Sequence, residues 1–250
     1  MIHKHPSPSA TGRLRSVPSI PLRVARLAHL KEERDGYYRA IGRYMVEFSS
    51  LVAFMRDLVA HKIVGTDEKA TQLIRLAFGS LQAQQVADGF FAVCRASADP
   101  PFDRSEQAIE KCLRENHVNA EIRWRNVIAH GDWFVPEWVR VSMPEGAEDD
   151  PAAPPVAYLS RVQHHKPTPL EPKPLTIEEI DTYGERVQTL RALLWEFGMV
   201  CTRTWDHDPA RGLEPVRVSD AFELVGSAND RTVQFRADYG DKLKQRGLAR

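Results

Sequence analysis

Between Tyr37 and His61, apolar residues fall at Ile41, Tyr44, Met45, Phe48, Leu51, Val52, Met55, Leu58 and Val59, a continuous stripe at the 3.6-residue spacing of an α-helix. Such a helix has to bury one face. Gly65-Thr66-Asp67-Glu68 predicts a turn and an N-cap, followed by a second helix over about 67–96 with Leu73, Ile74, Ala77, Leu81, Phe90, Phe91 and Cys94 inward. Gly79 and Gly89 weaken it slightly. The proline-containing stretch ADPPFDRS breaks the chain. Ser105, with Glu106 and Glu110 in the first turns, then predicts a third helix that ends at Gly131. A capping-box pattern at 176–179 (TIEE) opens a fourth, with Ile180, Val187, Leu190, Leu194, Phe197 and Cys201 on one side.

Between the third and fourth helices the period changes. FVPEWVRVSM and PVAYLSRVQ alternate weakly and are separated by the acidic, proline-rich EGAEDDPAAPP, which predicts two short strands and a hairpin rather than a sheet core. HHKPTPLEPKPL reads as a stiff linker. Beyond Trp205 the only apolar patch is AFELV, so low order is expected there. The predicted fold class is all-α: an antiparallel bundle of about four main helices with a small β-hairpin insertion before the last. Three regions follow: a basic flexible arm over 1–35, a helical domain over 36–205 with its insertion at 133–175, and a poorly ordered extension over 206–250.

Composition adds limits. Lys plus Arg and Asp plus Glu both number 34, so any contact with nucleic acid has to be local rather than a property of the whole surface. Cys94, Cys112 and Cys201 are widely spaced without a CxxC, which favours small core residues in a reducing compartment over a disulfide framework or a cysteine zinc site. No run approaches the roughly 20 apolar residues that cross a bilayer, and a cytoplasmic, membrane-free protein is expected. The first 31 residues hold six Lys/Arg, four prolines and no acid, a composition shared by RNA-touching basic arms, organellar transit peptides and plain flexible termini.

The chemistry concentrates in RWRNVIAHGDW, residues 123–133. Arginine offers phosphate a planar fork of donors, and an imidazole can take a proton from a hydroxyl or give one to a leaving oxygen. On an ideal helix Arg125 and His130 lie about 140° apart, so they meet one substrate group only if the arginine curls round or a second chain completes the site. An ordinary helix end explains the same residues: Glu121 stands at ion-pair spacing from Arg125, Asn126 bonds locally, and His130 before Gly131 satisfies terminal carbonyls. Trp124, Trp133 and Trp138 bracket the motif, where they either stack bases or bury the hairpin. Arg123 adds a cation beside them. Pairings of His164-His165 with His117 or His207 match no metal-ligand spacing, so no metal is expected.

Arg-Asn-x3-His (Arg125, Asn126, Val127, Ile128, Ala129, His130), closing a helix and followed by Gly131 and Trp133, resembles the RxxxxH signature of the HEPN superfamily over roughly residues 37–205. The resemblance implies a compact helical bundle that dimerises with two motifs in one cleft, acting as a metal-independent endoribonuclease of toxin-antitoxin or antiphage type, or else as an inactive RNA-binding or scaffold module. It further implies Arg125 and His130 as the catalytic pair, Asn126 as the polar residue that orients them, and Glu47 as the nearest candidate for an acidic partner on the first helix. RNA, a second copy of the chain and a separate antitoxin or regulatory protein are the implied partners, with no cofactor.

Overall fold

The computed structural model describes residues 20–65, 67–134, 157–160, 173–202 and 216–245. Helix α1 spans Ile20–Val64, α2 Glu68–Gly79 and α3 Ala83–Ser97. Helix α4 (Arg104–Cys112) continues through a π-helical turn at Leu113–Val118 into α5 (Asn119–His130). Strands β1 (Asp132–Phe134), β2 (Ala157–Ser160) and β3 (Lys173–Leu175) precede α6 (Ile177–Thr202). The chain then forms α7 (Val218–Ala221), β4 (Phe222–Val225), β5 (Thr232–Phe235) and α8 (Tyr239–Gln245).

The protein is mostly helical with small antiparallel sheets, as the hydrophobic periodicity predicts. Tyr44, Phe48, Leu51, Met55 and Val59 of the α1 stripe are buried, as are all six expected inward residues of α6. Their shared core is aromatic at its centre: Phe197 is fully buried among Phe91, Phe102 and Phe222, with ring centroids 5.9 to 6.2 Å away. The box at 176–179 forms, with Thr176 N donating to Glu179 Oε2 at 2.7 Å and Glu179 N to Thr176 Oγ1 at 3.1 Å. All three cysteines are buried and free. No helix among the described residues is long and apolar enough to cross a membrane.

Several local expectations are corrected. Helix α1 begins at Ile20, so the basic segment is helical over its described part, 20–35, while residues 1–19 lie outside the described residues. The helix expected over 67–96 is two helices, broken at Ser80–Gln82 after the low-propensity Gly79; Gln82 N is capped by Gln85 Oε1 at 2.9 Å. Asp67 caps α2 as predicted, accepting from Ala70 N. That helix, however, buries no residue, and Leu73 is 68% exposed. Asp103, not Ser105, caps α4, in a reciprocal box with Glu106.

The first and last long helices run parallel, not antiparallel. Contacts between α1 and α6 advance together, from Arg43–Asp181 through Glu47–Gln188 and Phe54–Trp195 to Lys62–Thr202. The reason is the crossover. The insertion pairs as a three-stranded antiparallel sheet in the order β1-β2-β3, and β3 returns the chain to α1, where Tyr37 Oη donates to Leu175 O at 2.9 Å. Gly198 allows the close approach that results: a Cβ there would lie 2.5 Å from Leu58 Cδ1.

The C-terminal segment over 216–245, where low order is expected, is folded. Glu106 is buried on α4 and accepts from Val218 N at 2.9 Å while pairing with Arg217, which docks α7. Phe222, Val233 and Tyr239 enter the core. Gly226, at φ +96°, makes the β4–β5 turn, in which a Cβ would meet Asp230 O at 2.6 Å.

Candidate functional site

Helix α5 carries the motif, and three features of the local sequence set its pose. Ile122 and Ile128 are buried, which fixes the rotation of the helix. Gly131 ends it in an extended conformation, φ −83° and ψ 153°, rather than in the left-handed region that glycine permits. Trp133 completes the end: its Nε1 donates to Ile128 O at 2.9 Å, satisfying a carbonyl that the last turn leaves without a helical partner. His130 therefore sits on a held helix terminus, exposed to solvent.

With α5 in this pose, Arg125, Asn126 and His130 all line one groove of about 790 Å³. Its other walls are α1, through Phe48, Ser49, Val52, Ala53 and Arg56, and the α2–α3 break with the start of α3, residues 80–84. The angular separation expected of Arg125 and His130 does not keep them apart. Arg125 curls so that its Cζ lies 5.9 Å from the centre of the Phe48 ring, and its Nη1 donates to Asn126 Oδ1 at 3.1 Å. Both residues thus address one groove of one chain.

The expected ion pair between Glu121 and Arg125 does not form. Glu121 points away from the groove to α6, where its Oε1 pairs with Arg186 at 2.8 Å. Burial raises the Glu121 carboxyl above its ordinary pKa, with Arg186 acting in the opposite direction. Among the described residues Arg125 has no carboxylate partner, and its buried Nε has no hydrogen-bond partner. None of the described residues lining the groove is Asp or Glu, whereas these residues include two arginines, one histidine and the amides of Gln82, Gln84 and Asn126. Such a lining offers donors and positive charge, and suits an anion.

The other sequence candidates lie elsewhere. Glu47 lines a separate groove between α1 and α6, accepts from Gln188 Nε2 at 2.9 Å and faces Arg191 at 3.7 Å. Trp124 packs on Tyr183 at a centroid distance of 4.4 Å, Trp133 is occupied in closing α5, and Arg123 lines a third groove beside His117 and Arg186. None of these four lines the groove of Arg125 and His130. Trp138, His164, His165 and His207 lie outside the described residues. His117 Nε2 accepts from Val233 N at 3.2 Å, and among the described residues no cluster of three or more His, Cys, Asp or Glu side chains is placed to hold a metal.

Sequence reasoning missed Arg56, Gln82 and Gln84. For Arg56 a signal was present: Phe48, Val52 and Arg56 are spaced by four, so the arginine interrupts the edge of an apolar stripe. The glutamines were hidden by the helix break. Comparisons with protein-family models, with curated proteins and with solved structures found no match for this chain.

Proposed function

We propose that the protein is a metal-independent endoribonuclease of HEPN type, acting in the cytoplasm in defence or stress response. The observation that carries this reading is the convergence of Arg125, Asn126 and His130 on a groove whose described lining holds no acidic residue. In the proposed reaction an RNA 2′-hydroxyl attacks the adjacent phosphorus as its proton passes to a base. The bond to the 5′-oxygen then breaks as that oxygen is protonated, leaving a 2′,3′-cyclic phosphate. His130 is the general acid/base, a role typically worth about 10² to 10⁴ in rate. Arg125 stabilises charge that builds on the phosphoryl oxygens, and the bond to Asn126 restrains its guanidinium. A homodimer and a separate antitoxin or regulatory protein complete the proposal.

A second reading, an RNA-binding or protein-interaction module without turnover, is favoured by one observation: Glu47, the candidate acidic partner, lies in another groove. Mixed RNA incubated with the protein in EDTA separates the two. Cleavage that disappears in Arg125→Ala and His130→Ala supports the enzyme. RNA retained intact by wild type and by His130→Ala alike supports the module.

A further inference from the structure

The α1 wall of the same groove carries an arginine that the catalytic reading does not use. Arg56 lies one helical turn beyond Val52, and its buried Nε has no hydrogen-bond partner among the described residues. Elsewhere on the protein, three arginines reach a carboxylate on a facing helix: Arg43 pairs with Asp181, Arg186 with Glu121 and Arg95 with Glu110. Among the described residues Arg56 and Arg125 have no such partner, and no described carboxylate lines the space they share. An unpaired guanidinium N–H held out of water is unfavourable in the free protein, and an incoming acceptor removes that penalty.

We propose that Arg56 binds a phosphate of a single-stranded RNA and is a binding determinant of the groove rather than a catalytic residue; this rests on the reading that the groove accepts RNA. Three walls act together. Arg125 comes from α5 and Arg56 from α1, and the first turn of the 15-residue helix α3, at 83–84, adds the positive end of its dipole. The planar guanidinium fork matches the oxygens of a phosphodiester. Phe48, Val52, Leu81 and Ile122 supply apolar surface between these charged groups, suited to the sugar or base of the same strand. A groove of about 790 Å³ is in the size range of small-ligand sites, which favours a single strand over a duplex.

The test uses a fluorescent single-stranded RNA with methylated 2′-oxygens, which binds but has no hydroxyl to attack. Its anisotropy is titrated with wild type, Arg56→Ala and Arg56→Lys in EDTA across a salt series. Arg56→Ala is expected to weaken binding at least fivefold and to reduce the slope of log affinity against log salt by about 0.7, the change for one lost phosphate contact on a single strand. Arg56→Lys is expected to keep the slope and recover part of the affinity. Arg56→Met, which retains the packed stem, is expected to melt no lower than wild type; a lower melting temperature would mean that the fold itself holds the arginine, and would overturn the proposal. Wild type that binds or cleaves RNA while Arg56→Ala keeps its affinity and slope overturns the proposal alone. Wild type that neither binds the probe nor cleaves RNA removes the reading beneath it, and the proposal falls with it.

Discussion

Trp133→Phe isolates the contact that holds the end of the motif helix. Phenylalanine keeps most of the packing against the core but removes the indole N–H that reaches Ile128 O at 2.9 Å. Ile128 is 2% exposed, so its carbonyl gains no ready replacement from water. A net hydrogen bond is worth roughly 0.5 to 1.5 kcal/mol, and a buried acceptor left unsatisfied costs about 1 to 3 kcal/mol. A loss of about 2 kcal/mol is therefore expected. For a chain of this size each kcal/mol moves Tm by roughly 2 to 4 °C, so thermal unfolding should show a fall of about 4 to 8 °C. Hydrogen exchange locates the effect. The Gly131 amide, which donates to Val127 O at 2.9 Å, should exchange faster, whereas amides in the middle of α6 should lose protection only to the extent of the global change. Unchanged Tm together with unchanged Gly131 exchange would show that α5 is not held by this bond, and would remove the argument that His130 is positioned by the fold.

Three further outcomes are expected. Burial, with Arg186 nearby, holds the His117 imidazole below its ordinary pKa near 6.5, while Nε2 accepts from Val233 N. The unfolded chain takes up that proton first as pH falls, so the stability His117 contributes is complete above pH 6.5 and is lost below it. His117→Gln should flatten the fall of the urea midpoint between about pH 7.5 and 5; an unchanged slope would show that this contact does not set the acid sensitivity. Glu106→Ala strands the Val218 amide and removes the buried partner of Arg217, but Arg217 is 30% exposed and keeps Asp103 at 3.4 Å, so a loss near the low end of the 3 to 5 kcal/mol range, about 3 kcal/mol, is expected in denaturant unfolding. Mixing Arg125→Ala with His130→Ala should restore no ribonuclease activity, because the intact chain brings both side chains to one groove. Recovery on mixing would mean that each site draws on two chains.

How much of this was legible beforehand follows from what each residue answers to. The stripes of α1 and α6 were readable because burial of a helix face acts on periodicity alone, and Tyr44, Phe48, Ile180 and Phe197 all lie where that period puts them. Direction was not readable. Parallel packing of α1 and α6 comes from the crossover through β3 and the contact of Tyr37 with Leu175, which no local pattern encodes. The order of the C-terminal segment depends on Glu106, a buried charged residue that the local capping box with Asp103 accounts for only in part; its other partners, Arg217 and the Val218 amide, lie more than 100 positions away. At the site, Arg125, Asn126 and His130 could be singled out from their spacing, but their common groove could not, since it depends on the bend of one arginine side chain over Phe48. Glu121 misled because spacing proposes a partner and tertiary contact chooses one, here Arg186 on another helix.

The most direct test is the mass of the ends left on RNA digested by the intact protein in EDTA. The account predicts fragments that terminate in 2′,3′-cyclic phosphate with wild type and are absent with His130→Ala. Fragments ending in a free 3′-hydroxyl, or RNA left whole by wild type, would contradict it.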